Sequence, residues 1–120
     1  MLFFIRKIAL VSGVSMEPSL YDGDLVFYKK YYPNKTPISL GDIVIFNHPT
    51  KNIKLIKRVK SVNNFGIEVS GENKNFSNDS NFFGYIKKDN VKGIVTSHIS
   101  SLSISKLSNL LAYKKRSTFL

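Results

Sequence analysis

The chain has 120 residues, 42% of them hydrophobic and 12% aromatic, no cysteine, and 18 Lys plus Arg against 8 Asp plus Glu, a net charge of +10. That length supports one domain with a modest core, and the apolar content excludes a disordered chain. The lack of cysteine excludes disulfides, thiolate catalysis and cysteine-bound metals, while the cationic surplus points to phospholipid, to nucleic acid, or simply to a lysine-rich solvated surface.

The first segment, MLFFIRKIALVSG, is apolar but too short to cross a bilayer, and Arg6 and Lys7 interrupt it. Its order of charge and apolar residues is not that of a secretory signal. The expectation is a cytoplasmic or peripherally membrane-associated protein with no transmembrane span. Residues 12–19 read SGVSMEPS, which sets Ser15 between a glycine-containing bend and a Met-Glu-Pro stop. Ser, Gly and Pro punctuate turns for steric reasons, so this is either a plain turn or a nucleophile held at the end of a strand. A serine hydroxyl does nothing until a base takes its proton.

Short strand-like runs follow. Asp22-Gly23 is a tight-turn pair leading into DLVFYKK (24–30), and a loop with two prolines (31–42) leads to DIVIFNH (42–48), ended by Pro49. NIKLIKRVKSV (52–62) is a third strand, turned by NNFG into IEVSG (67–71), and after a polar loop (72–81) come FFGYI (82–86) and VKGIVTS (91–97). The sequons at Asn75 and Asn78 have no secretory signal to give them meaning. Mainly antiparallel short strands imply an all-β domain, a barrel or sandwich. Residues 1–97 form the β-rich domain in this reading, and 98–120 a basic tail. In that tail Leu102, Leu107, Leu110 and Leu111 have roughly helical spacing ahead of KKR at 114–116. It reads as a short amphipathic helix on the domain or on lipid, or else as a frayed end.

For a base, His48 sits in an Asn-His-Pro turn and His98 in a serine-rich segment, neither beside a suggestive acid. The third strand offers more. Alternation puts Ile53, Leu55, Lys57, Val59 and Ser61 on one face and the mostly basic Lys54, Ile56, Arg58, Lys60 and Val62 on the other, solvent-facing one. Lys57 among apolar neighbours is disfavoured as an ammonium, and a neutral amine can deprotonate serine. The plainer alternative is a lysine that snorkels to water.

Four stretches in order resemble the signal peptidase I family of Ser-Lys serine proteases. VSGVSMEPSLYDGD (11–24) is similar to its nucleophile box, GDIVIF (41–46) to the strand after it, and LIKRV (55–59) to its lysine box. SGENKNFSNDSNFFGYIKKDNVKGIV (70–95) is similar to its last conserved stretch. The resemblance implies a signal peptidase-like β-barrel fold and a serine endopeptidase with Ser15 as nucleophile and Lys57 as general base. It makes Ser77 the serine that orients the lysine, and Asp79 a supporting acid behind it. It places the oxyanion region at Gly13 and Ser15, with Ser12 contributing a hydroxyl if the bend turns it inward. Glu72, Phe76 and Asn81 stand where the family carries an aspartate, an asparagine and an arginine. No metal or cofactor is implied. The implied partner is a precursor protein or leader peptide lying along a strand edge.

Without an anchor or inserted subdomain, the chain is most similar among short members to the maturation protease of nickel-type superoxide dismutase. That implies the dismutase precursor as substrate, the broader alternative being general signal peptidase I activity at the membrane. Two rivals come from other classes. One is a non-catalytic basic β-barrel binding nucleic acid, with Tyr28, Tyr31, Tyr32, Phe82 and Phe83 as stacking platforms. That reading leaves the serine–lysine pairing without a purpose, so no nucleic acid is expected. The other, a self-cleaving repressor-type domain, needs an upstream cleavage linker for which Ser15 stands too close to the start.

Overall fold

A computed structural model describes residues 6–73 and 85–117, with the backbone alone at 113–117. Six strands, β1 (Lys7–Leu10), β2 (Leu25–Lys30), β3 (Ile43–Asn47), β4 (Lys54–Asn63), β5 (Gly66–Ser70) and β6 (Val91–Ile99), form one antiparallel sheet. Its order is β1-β2-β6-β3-β4-β5. A helix, α1 (Ser101–Ser117), follows β6. The all-β expectation with a short C-terminal helix is met. The expected strand at 82–86 falls mostly outside the described residues, and Ile86 makes an isolated bridge to Ile67.

The unbroken apolar run of β3 follows from its place in the middle of the sheet. Val44 and Phe46 join one apolar cluster with Tyr31, Val59, Ile67, Val69, Ile86, Val91 and Ile94. Ile45 joins a second cluster with Val11, Met16, Leu20 and Val26. Both faces of the sheet are therefore covered, and a strand buried on both faces has no polar alternation to show.

The second cluster positions the site. Val11, Met16 and Leu20 come from the loop between β1 and β2, so the segment carrying Ser15 is itself part of the core. Burial of Met16 and Leu20, each 1% exposed, holds that loop down at about 2 kcal/mol per side chain. The loop closes on itself where the Val11 N–H donates to the Asp24 carbonyl and the Gly23 N–H to the Val11 carbonyl, both at 2.8 Å.

Its cover also revises the reading of β4. Lys57 and Val59 are buried as alternation requires, but Ile53 lies before the strand and is exposed. The opposite face is not simply solvated, because Ile56 packs on the second cluster and Arg58 is half-buried. A bulge between Val59 and Ser61 interrupts the register with β5, the kind of break that re-aims side chains along a strand.

Candidate active site

The serine loop is built turn by turn. Gly13 has φ of +90°, a left-handed conformation that a side chain would strain, and its N–H donates to Asp22 Oδ1 at 2.8 Å. Asp22 thus ties the bend to the turn at 21–24, where the Asp24 N–H donates to the Tyr21 carbonyl. Between these anchors the Glu17 N–H reaches the Val14 carbonyl and the Leu20 N–H the Met16 carbonyl. Ser15 stands half-buried at the front of this knot, just before the Met16 side chain plunges into the core.

Lys57 arrives from β4, opposite Val44 in the register. Only 3% exposed, it places Nζ 2.8 Å from Ser15 Oγ, the ammonium donating and the hydroxyl accepting. With the amine neutral, the same contact lets Oγ–H donate to Nζ. Burial works against the charged form of a lysine. The structure thus brings together the two residues that sequence spacing left 42 positions apart.

Both face a cleft of about 350 Å³ lined by Ile8–Ser12, Ser15, Val26, Tyr28, Ile45 and Lys54–Lys57. Its two walls are strand edges. β1 is an edge strand, and β4 pairs with β5 only from Arg58 onward, so among the described residues no strand pairs with the outer side of Lys54–Ile56. Gly13 shapes the bend, since its own N–H is engaged by Asp22, and Ser12 lines the cleft with an exposed side chain. Ser77 and Asp79 lie outside the described residues.

A set of partners behind the serine escaped the sequence reading. Glu72 accepts hydrogen bonds from Ser19 Oγ and from Arg58 Nε, Arg58 also donating to Ser19 Oγ at 3.1 Å and to the Gly41 carbonyl at 2.6 Å. The next residue, Asn73, donates its N–H to the Ser15 carbonyl at 2.9 Å and its Nδ2 to the Val14 carbonyl at 3.2 Å. Strand β4 therefore holds the serine loop twice, through Lys57 at the hydroxyl and through Arg58–Glu72 behind it. Burial pushes the Glu72 carboxyl up, but Ser19 and Arg58 outweigh it and hold the group below the usual glutamate range. The sequence signal that could have found this pair was the alternation itself: a residue adjacent to a buried lysine must face the opposite cover.

Asp24 is the other unanticipated residue. It is 1% exposed and accepts from the Tyr21 N–H at 2.9 Å and from the Ser101 N–H, at the start of α1, at 2.8 Å. Burial raises its pKa, yet those amides and nearby His98 together hold it below the usual range.

The histidines have other work. His48 Nδ1 accepts from the Thr50 and Lys51 N–H groups and shapes that turn, while His98 sits on β6 opposite Val26. Neither lines the cleft with Ser15. The stacking set for nucleic acid also comes apart: Tyr31 is buried in the first cluster, Tyr28 lines the cleft, and Tyr32 is exposed beneath Lys30. Phe82 and Phe83 lie outside the described residues. No cluster of three metal-ligating side chains occurs among the described residues.

Comparison with known proteins places this geometry in a family. A family model described as signal peptidase, peptidase S26, matches residues 1–68, the stretch that holds both Ser15 and Lys57. Signal peptidase I of Buchnera aphidicola subsp. Schizaphis graminum (strain Sg) is 41% identical over 69 residues, covering 48% of this chain and 22% of the relative. Signal peptidase I P of Bacillus subtilis subsp. natto is 28% identical over 102 residues, covering 85% of this chain and 53% of the relative. Signal peptidase I of Bacillus licheniformis is 38% identical over 56 residues, 47% of this chain and 30% of the relative. The chain spans about half the length, or less, of these curated relatives. With more than half of its residues matched by the family model and a buried lysine set on the serine of its first loop, the chain belongs to the signal peptidase family, peptidase S26.

Proposed function

We propose that the protein is a serine endopeptidase in which Ser15 and Lys57 remove an N-terminal leader or signal peptide from a precursor protein. The observation that carries this reading is the 2.8 Å contact between Ser15 Oγ and the Nζ of a lysine withdrawn from water. Neutral Lys57 accepts the Oγ proton as oxygen attacks the scissile carbonyl carbon. The tetrahedral oxyanion that results takes a hydrogen bond from the Ser15 N–H, a kind of donor worth about 3 kcal/mol in other proteases. The C–N bond breaks, and Lys57 passes its proton to the leaving amine. It then takes a proton from the water that hydrolyses the acyl ester, regenerating Ser15.

The substrate lies extended in the cleft, adding a strand between the open side of β1 and the outer side of Lys54–Ile56. Small residues before the cleaved bond are what the likeness to signal peptidases implies. Ser77 and Asp79 hold and support the lysine in this reading, as the family resemblance implies. For the substrate, the resemblance supplies the nickel superoxide dismutase precursor as the specific candidate. The names of the curated relatives favour a wider set of signal peptides.

Co-expression with both kinds of precursor, followed by N-terminal sequencing of the products, tests the function and sorts the substrates. Cleavage is expected with the wild type and lost in Ser15→Ala and Lys57→Met. Each variant removes one reacting atom while leaving the packing nearly whole. Processing of either precursor by a folded Ser15→Ala variant would refute the assignment.

A further inference from the structure

The cleft that holds Ser15 and Lys57 changes character along its length, and the strand registers show how. Val26 and Ile45, with Ala9, Tyr28 and Ile56 packed against them, belong to one apolar cluster and so share one face of the sheet. Alternation along β1 adds Lys7 to the face of Ala9, and the register sets it opposite Tyr28. Along β4 it adds Lys54 to the face of Ile56, opposite Asn47. β1 runs from Lys7 toward the Ser15 loop, and β4 runs from Lys54 to Lys57. Both lysines therefore stand at the end remote from the reacting pair. The floor is apolar near Ser15 and flanked by a cation on each wall at its far end.

Both cations are exposed, and neither forms an ion pair among the described residues. Lys54 also lines a second hollow of about 380 Å³, together with Asn47, Lys51 and Asn90. Among the described residues no Asp or Glu lines that hollow or the cleft itself. A peptide lying extended in the cleft thus passes from an apolar floor into a cationic mouth. Lysines so placed attract a carboxylate and repel another cation, and such charge matching serves specificity more than raw affinity.

We propose that Lys7 and Lys54 select substrates carrying an Asp or Glu four or five residues before the cleaved bond. The assignment rests on the peptidase reading, in which small residues of the leader occupy the apolar floor beside Ser15. Lys54 lies three positions before Lys57 on β4, about 10 Å of extended chain. A peptide aligned with β4 and cut at Ser15 brings the fourth residue before the bond alongside Lys54. The flexible lysine stem carries the charge to the fifth as well.

The test is cleavage by the full chain of a peptide series that differs only at those two positions, with Ala, Glu or Lys there. At low salt kcat/KM is expected to rise roughly fivefold from Ala to Glu and to fall by a similar factor from Ala to Lys, chiefly through KM. Added salt should shrink both differences. Lys54→Gln should weaken the preference for Glu, and the double variant Lys7→Glu, Lys54→Glu should reverse the order. The control Lys35→Glu, Lys88→Glu changes net charge equally around a different hollow and should keep the wild-type order. Affinities of the same peptides for Ser15→Ala separate binding from chemistry. Equal kcat/KM across the series, or a control that shifts the order as far as the double variant, would overturn the proposal and leave the peptidase reading in place. If Ser15→Ala prefers the Glu peptide through Lys7 and Lys54 while the wild type cleaves none, the acid-selecting site stands and the peptidase reading fails. No preference in either assay would overturn the site.

Discussion

Replacing Glu72 by glutamine removes a charge while keeping the shape of the side chain, and so isolates the clamp behind Ser15. In the wild type the carboxylate accepts from Arg58 Nε and Ser19 Oγ, and the two side chains of the ion pair are 35% and 23% exposed. Hydrogen bonds to a charged group contribute about 1.5–3 kcal/mol when buried, and solvent screening of a pair this open reduces that considerably. The expected loss is therefore about 1–2 kcal/mol in urea unfolding at neutral pH. Because Glu72 is held below the usual glutamate range, the folded state favours its deprotonated form. Its contribution is present above the unfolded pKa and is lost as pH falls through the folded one. The gap between wild type and Glu72→Gln should thus close on acidification through the glutamate range and below. Asn73 fastens the Ser15 carbonyl next door, so turnover should fall through kcat more than through KM. A variant as stable as wild type at neutral pH, or a deficit that does not shrink in acid, would refute the argument.

Asp24→Asn puts an amide NH₂ where one of two N–H groups now donates, so it should cost about 2 kcal/mol and speed hydrogen exchange at the Tyr21 and Ser101 amides; unchanged exchange at both would contradict it. Ser61 Oγ is buried with no hydrogen-bond partner among the described residues, so Ser61→Ala should be neutral or stabilising by up to about 1 kcal/mol. Thermal unfolding that drops by several degrees would show that the hydroxyl is needed. Gly93→Ala would set a Cβ 2.2 Å from Tyr28 Cδ2, displacing a ring that lines the cleft. Weaker peptide binding, read as a raised KM, is expected, and an unaltered KM would contradict the packing.

The strands were legible where their neighbours imposed a simple pattern. The hairpin at Asn63–Gly66 was marked by its turn residues, and there the Phe65 N–H donates to Asn63 Oδ1. Lys57 stood out because a lone cation in an apolar alternation has few structural uses. Strand β1 was visible only as an apolar run, since four residues at a sheet edge, mostly exposed, carry no alternation to read. Arg58 was misread as solvated because one strand's alternation says which residues share a face but not what covers it. The cover comes from a loop forty residues upstream, folded down by Met16 and Leu20. Glu72 and Asp24 were invisible for the same reason. Each looks like a loop acid until the chain brings Arg58 to one and the start of α1 to the other. The tail showed its helical spacing plainly, and its failure to pack on the sheet was not written in that spacing.

The central claim is that buried Lys57 is the base for Ser15, and the pH dependence of single-turnover precursor cleavage tests it most directly. Only the neutral amine accepts the proton, so the rate should rise with pH through the pKa of Lys57. Withdrawal of its ammonium from water should set that limb well below the value of about 10.4 for a free lysine. The account predicts a limb nearer neutrality in the wild type and no measurable cleavage at any pH in Lys57→Met. A limb that begins only above about pH 10, or a Lys57→Met variant that follows the wild-type profile, would contradict it.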